Sequence, residues 1–406
     1  MKRTTKRVET ALLGAALVAS APAFAQSSVT LYGIVDNGFS YTNNVGSLGA
    51  NSGGKSVVKM AQGVWAGSRF GLKGSEDLGG DTKAIFQLES GFNSATGAQQ
   101  YTNAMFGRQA WVGVTNSTYG TLTAGRQYAS YYQMMSAYSP TTWVTGYYGA
   151  HPGDIDGLDT IYRMNNTLEY TSAKIYGLTF SGSYSMGGVA GSVNRGSTWA
   201  TGLQYAVGPI GFAVAFSRIN NSAVGGGAWG SDSTTSNGGS EIGVSALTNG
   251  YQTAQAQQRF AVGGGYKFNS AWDVTATYTN VQYIPGTQSK FHDTAIFNTA
   301  GAVLHWKPAV AWDFGAGYSY TRATKANGIQ DSAEYQQFNL SQYYSLSKRT
   351  GLYALEAYQH ASGKTLGTNG AGSIIDATAT LGDGYNSTPS SSSSQVAVGV
   401  GIIHRF

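Results

Sequence analysis

Apolar and polar side chains alternate at every second residue from about residue 27 to the end of this chain, and this restricts the fold more than any other feature. In "LTFSGSYSMG", Leu178, Phe180, Tyr184 and Met186 oppose Thr179, Ser181, Ser183 and Ser185. "AWDVTATYTN" and "AWDFGAGYSYTR" repeat the scheme, and "QVAVGVGIIHRF" ends the chain on it. There Val396, Val398, Val400, Ile402 and Phe406 face away from Gln395, Ala397, Gly399, Gly401 and Arg405, with His404 the one interruption. A helix repeats every 3.6 residues, so a period of two predicts strands with one wet and one apolar face.

The connections between these segments alternate in length. Short ones such as "EDLGGD", "TNSTYG", "VGP" and "SKR" carry turn residues. Long polar ones fall near 43–57, 94–104, 128–163, 187–197, 220–257, 285–292, 323–333 and 362–394. Sixteen strands result, with short turns on one side and long loops on the other, the pattern of a transmembrane β-barrel. No apolar run after the first 25 residues reaches the eighteen or so needed for a spanning helix. A closed barrel pairs its backbone groups between strands, so each strand needs only alternate apolar residues. Charged residues make up 11% of the chain, against roughly a quarter in ordinary soluble domains. Trp272 and Trp312 each follow a short turn, where a membrane interface is expected.

The first 25 residues read as a cleaved secretory signal: "MKRTTKR" is cationic, "ALLGAALVAS" apolar, and "APAFA" a small-residue cleavage site. Residues 26–406 then form one barrel domain. Without the leader, 21 basic residues stand against 19 acidic ones, so no nucleic-acid partner is expected. Cys is absent, which excludes disulfides and thiolate metal sites. Five His residues, in loops or near strand ends, offer no base placed for catalysis. Neither an enzyme nor a metal or other cofactor is expected.

"SSVTLYGIVDNGF", "GSRFGLKGSEDLGGD", "RQAWVGV", "YGTLTAGRQ" and the terminal "HRF" resemble the general porins of β-proteobacterial outer membranes, in the same order along the chain. The resemblance implies a homotrimer of sixteen-stranded barrels in the outer membrane, among lipid and lipopolysaccharide. Each barrel is expected to be a water-filled pore for passive diffusion of ions and small hydrophilic solutes, narrowed by its third external loop, about 128–163. The alternative is a substrate-specific channel for a sugar or organic anion. Arg405 and Phe406 match the terminal residues by which the barrel assembly machinery recognises its clients.

Alternation also proposes the pore wall. Phe70 and Leu72 take the lipid face, so Arg69 and Lys73 point inward. Arg69 lies seven residues before the "EDLGG" turn, roughly 16 Å above the rim. Arg126 falls at a similar level, and Lys59 shares the register of Arg69 if no bulge intervenes. Arg163 matches the family position at which a constriction arginine enters the next strand. Against this basic wall stand Asp154, Asp156 and Asp159 of "HPGDIDGLDT", together with Asp36 of the first strand. A solvated acidic loop is the plain alternative for the three loop carboxylates. Gln87 and Glu89 face inward where porins of this type often carry another cation, which argues against strong anion selectivity.

Overall fold

A computed structural model describes residues 28–144, 146–159, 163–236, 239–240, 246–383 and 386–406; the proposed leader lies outside them. Seventeen extended elements form one closed sheet, two of them halves of a single strand, giving an antiparallel barrel of sixteen strands. The first eight are β1 (Ser28–Val45), β2 (Lys55–Gln62 and Arg69–Gly79), β3 (Thr82–Gly91), β4 (Gln109–Asn116), β5 (Gly120–Tyr128), β6 (Arg163–Thr171), β7 (Leu178–Ser185) and β8 (Thr198–Val207). The rest are β9 (Ile210–Asn220), β10 (Ala256–Lys267), β11 (Trp272–Ile284), β12 (Ala295–Ala309), β13 (Trp312–Ala323), β14 (Glu334–Ser345), β15 (Thr350–Ser362) and β16 (Ser394–Arg405). Neighbours in sequence pair, and β16 closes the ring against both β15 (Tyr353↔Gly401) and β1 (Gly38↔Gly401). Among the described residues the barrel sheet is left with no open edge.

Apolar residues of the predicted faces point outward: Phe180, Leu340, Leu352, Val400 and Ile402 are all exposed on the outer surface. At the turn end, Trp272 stacks on Trp306 at 5.4 Å and Trp312 on Phe314 at 5.5 Å. These rings form an aromatic girdle of the kind that sits at a lipid–water interface. One of the tight turns, after β2, holds Gly79, Gly80 and Asp81 at φ of 83°, 59° and 60°. Glycine and aspartate tolerate this left-handed backbone, which lets the two strands reverse without splaying.

Two departures from a plain barrel shape the lumen. In β2 the wall breaks between Gln62 and Arg69. The outer half pairs Lys59 with Ser40 and the inner half pairs Arg69 with Ile34, so ten residues of β2 span six of β1. The surplus turns inward: Val64 is fully buried and Trp65 sits 4.8 Å from Tyr343. Asp36 holds this turn, accepting the backbone N–H of Trp65 at 2.8 Å and of Ala66 at 2.6 Å, and the Tyr353 hydroxyl at 2.6 Å.

The second departure is the third loop, between β5 and β6, which folds into the barrel. It opens on a short helix, α1 (Ser130–Met135). Tyr131, Met135 and Tyr138 pack on Ala200, Ala213, Ala215 and Ala261, small residues on the inner faces of β8 to β10. A Cβ added at Gly202 would meet Met134, and one at Gly211 would strike Tyr138. Each fully buried side chain of this kind stabilises by about 1.5–3 kcal/mol. The loop then crosses to the other wall. There Gln337 donates to the Ala150 carbonyl at 2.6 Å, Ser341 to the Trp143 carbonyl at 2.7 Å, and Asn339 to the Tyr148 carbonyl.

Candidate pore constriction

Three arginines meet beside the third loop. Arg69 begins the inner half of β2, where its Nε donates to the Gly67 carbonyl at 2.8 Å. Arg108, just before β4, donates from Nε to Glu89 Oε1 at 2.7 Å, from Nη1 to Gln100 at 3.1 Å and from Nη2 to the Tyr128 hydroxyl at 3.2 Å. Arg163 opens β6, with Nη2 donating to the same hydroxyl at 2.7 Å and its guanidinium 4.7 Å from the Tyr128 ring. All three line one cavity of about 500 Å³. Asp159 of the third loop and Asp383 of the eighth, between β15 and β16, line it as well. Cations carried on strands or at their ends therefore face carboxylates carried on loops.

The carboxylates are not equivalent. Burial raises the Asp159 carboxyl well above the usual range, and the negative charges of Asp383 and Asp154 raise it further. Ionisation of Asp159 is therefore disfavoured, by burial first and then by the neighbouring carboxylates.

The remaining predicted residues are placed elsewhere. Asp154 and Asp156 are buried within the third loop. Asp156 accepts from Thr279 on β11 at 2.9 Å and pairs with His151 Nδ1 at 2.5 Å. Burial favours its neutral form, but His151, Thr279 and the Leu158 amide outweigh burial and hold it below the usual carboxylate range. Asp154 accepts the Asp159 amide at 2.9 Å, and burial beside Asp156 pushes it well up. Both residues brace the loop instead of lining the cavity. Asp36 is spent on the inward turn of β2 and is fully buried.

Lys59 faces inward but stands opposite Ser40, six residues of β1 (about 20 Å along the strand) outward of the level of Arg69. The broken wall accounts for this, because residue counting assumed a continuous strand. Arg126 lies at a register shift between Gly125 and Gln127, where alternation no longer sets the facing of a side chain. Its guanidinium binds the Gly107 carbonyl and Asn165, and it does not line the cavity.

Arg108 and Asp383 escaped the sequence reading. Arg108 precedes "QAWVGV" at a strand end, and a count from the preceding turn would have set it level with Glu89. The Arg108–Glu89 ion pair, with both side chains 4% exposed, answers the acidic residue that argued against a basic wall. Asp383 lies in a Gly/Ser-rich stretch with no periodicity to signal it.

A family model described as Gram-negative porin matches residues 10–364. Outer membrane porin protein 32 of Delftia acidovorans is 27% identical over 407 residues, covering 97% of this chain and 98% of that protein. An outer membrane porin protein of Bordetella pertussis is 36% identical over 232 residues, spanning 52% of this chain and 60% of the relative. Among solved structures, an anion-selective porin from Comamonas acidovorans superposes with a TM-score of 0.65 at 20% identity, covering 94% of this chain and 100% of its own. OmpT of Vibrio cholerae, described in a trimer form, gives 0.61 at 16% identity, covering 94% of this chain and 99% of its own.

Proposed function

The chain belongs to the Gram-negative porin family, and from that premise we propose that it forms a water-filled outer-membrane channel for passive diffusion of ions and small hydrophilic solutes. The observation that carries this reading is the cavity where Arg69, Arg108 and Arg163 face Asp159 and Asp383. Selectivity in such a pore depends on the charges at its narrowest level. Water confined there screens them less than bulk solvent does.

The balance at this level is basic. Arg108 is paired with Glu89, and burial beside Asp383 disfavours ionisation of Asp159, so Arg69 and Arg163 leave positive charge in excess. We infer a modest preference for anions, in keeping with the selectivity stated for the Comamonas neighbour. A homotrimer is proposed as well, since OmpT of Vibrio cholerae, which shares the fold, is described in a trimer form. Arg405 and Phe406 are proposed as the assembly signal. What supports this is that the Phe406 backbone bonds both ways to Gly33 at 3.1 Å while the residue stays 43% exposed.

Planar-bilayer recording of the purified protein tests the reading. Stepwise openings in groups of three are expected, with a reversal potential of anion-selective sign in a potassium chloride gradient. A protein that opens no such channels would refute it.

A further inference from the structure

At the turn end of the lumen, beneath the third loop, a second cavity of about 680 Å³ opens. One wall is aromatic. Trp143 of the third loop stacks on His305 of β12, with ring centroids 3.6 Å apart and planes within 5° of parallel. His305 is held between two carboxylates, Asp273 at 2.8 Å on Nδ1 and Asp313 at 3.0 Å on Nε2. Trp65, from the inward turn of β2, meets Tyr343 in the same cavity.

The rim is basic. Lys307 on β12, Lys348 in the turn after β14 and Arg405 on β16 all line it. Among the described lining residues Asp313 is the carboxylate, and it is already bonded to Lys307 at 2.7 Å as well as to His305. Arg405 donates to the Tyr343 hydroxyl at 3.1 Å, which holds its guanidinium beside the rings. Among the lining side chains positive charge is therefore in excess next to flat apolar surface.

We propose that this cavity is a binding subsite for planar aromatic carboxylates, with the ring against Trp143, Trp65 and Tyr343 and the carboxylate on Arg405 and Lys348. An inorganic anion has no use for the rings, and a neutral sugar has none for the cations. An aromatic anion uses both, through offset stacking and charge-assisted hydrogen bonds. The volume lies within the range of about 300–1,000 Å³ of small-molecule sites. This inference rests on the channel reading and adds a solute class to it.

The test is single-channel recording of the reconstituted full-length protein with 2-naphthoate added to the turn side. Cyclohexanecarboxylate matches its charge without the aromatic ring, and 2-naphthol matches its rings without the charge at neutral pH. Current interruptions by 2-naphthoate are expected to last about tenfold longer than those by either control. K348Q and W143A should each shorten them severalfold, whereas W143F, which keeps a ring, should stay within about twofold of the parent. Lys348 is exposed in a turn, so K348Q tests the site without disturbing the third loop. Equal dwell times for the three probes, or a 2-naphthoate dwell unchanged by K348Q in channels of normal conductance, would overturn the subsite. Absence of channels altogether would instead overturn the reading on which it rests.

Discussion

The two sides of the proposed constriction are built on different foundations. Arg69 and Arg163 sit on strands, where ladders such as Arg69↔Gly91 and Tyr128↔Arg163 set their height and facing. Asp159 and Asp383 sit on the third and eighth loops, whose positions depend on contacts made across the lumen. A strand charge is placed by local periodicity, a loop charge by tertiary anchoring. The basic side should therefore behave as a fixed wall and the acidic side as an adjustable one.

The largest expected effect breaks the fixed wall. In R69Q/R163Q the anion-to-cation permeability ratio should fall on the order of tenfold, read from reversal potentials in a salt gradient. A ratio that does not move would remove these residues from the selectivity level.

Next comes R108Q, which strands Glu89 in a nearly dry site. Removing one partner of a buried pair costs about 3 kcal/mol, measured as a lower denaturant midpoint in detergent, and E89Q/R108Q should recover part of it.

The adjustable side is addressed by pH. The Asp159 proton is held above the usual carboxylate range, so raising pH from about 4 upward ionises this pair late. Ionisation adds negative charge opposite the arginines, and anion preference should decline as pH rises through that range. The raised folded-state value also makes the same proton a stabilising one, fully so at acid pH and progressively lost as pH rises. In D383N the like charge is gone, so Asp159 should ionise at lower pH and the decline should begin earlier. A pH-independent reversal potential would show that the two acids are not coupled.

The smallest effect is expected for R126Q. Its guanidinium is engaged with the Gly107 carbonyl and Asn165 away from the cavity, so the permeability ratio should change by less than about twofold.

Strand number, the alternation of turns and loops, and the barrel closure by β16 were all legible in the sequence. Each follows from a period of two and from turn chemistry, both of which act over a few residues. Arg69 was proposed by its facing and Arg163 by family resemblance, and both line the cavity that Asp159 and Asp383 share. Arg126 sits at a register shift between Gly125 and Gln127 and does not line the cavity, a break that residue counting does not reveal. Lys59 was misread because the inward turn at 63–68 inserts residues where the pattern reads as continuous wall. Its composition, "GVWAGS", shows nothing of the Asp36 carboxylate that organises it.

By itself the sequence determined that this chain closes as a sixteen-stranded barrel with one face in lipid, because backbone pairing and the exclusion of polar groups from hydrocarbon are local demands repeated along every strand. Only the tertiary structure decided which charges meet in the lumen. Asp154, Asp156 and Asp159 lie within six residues of one another, yet two brace the loop and one faces the arginines. That division depends on His151, Thr279 and Asp383, partners brought together by the closure of the barrel and the folding of its loops.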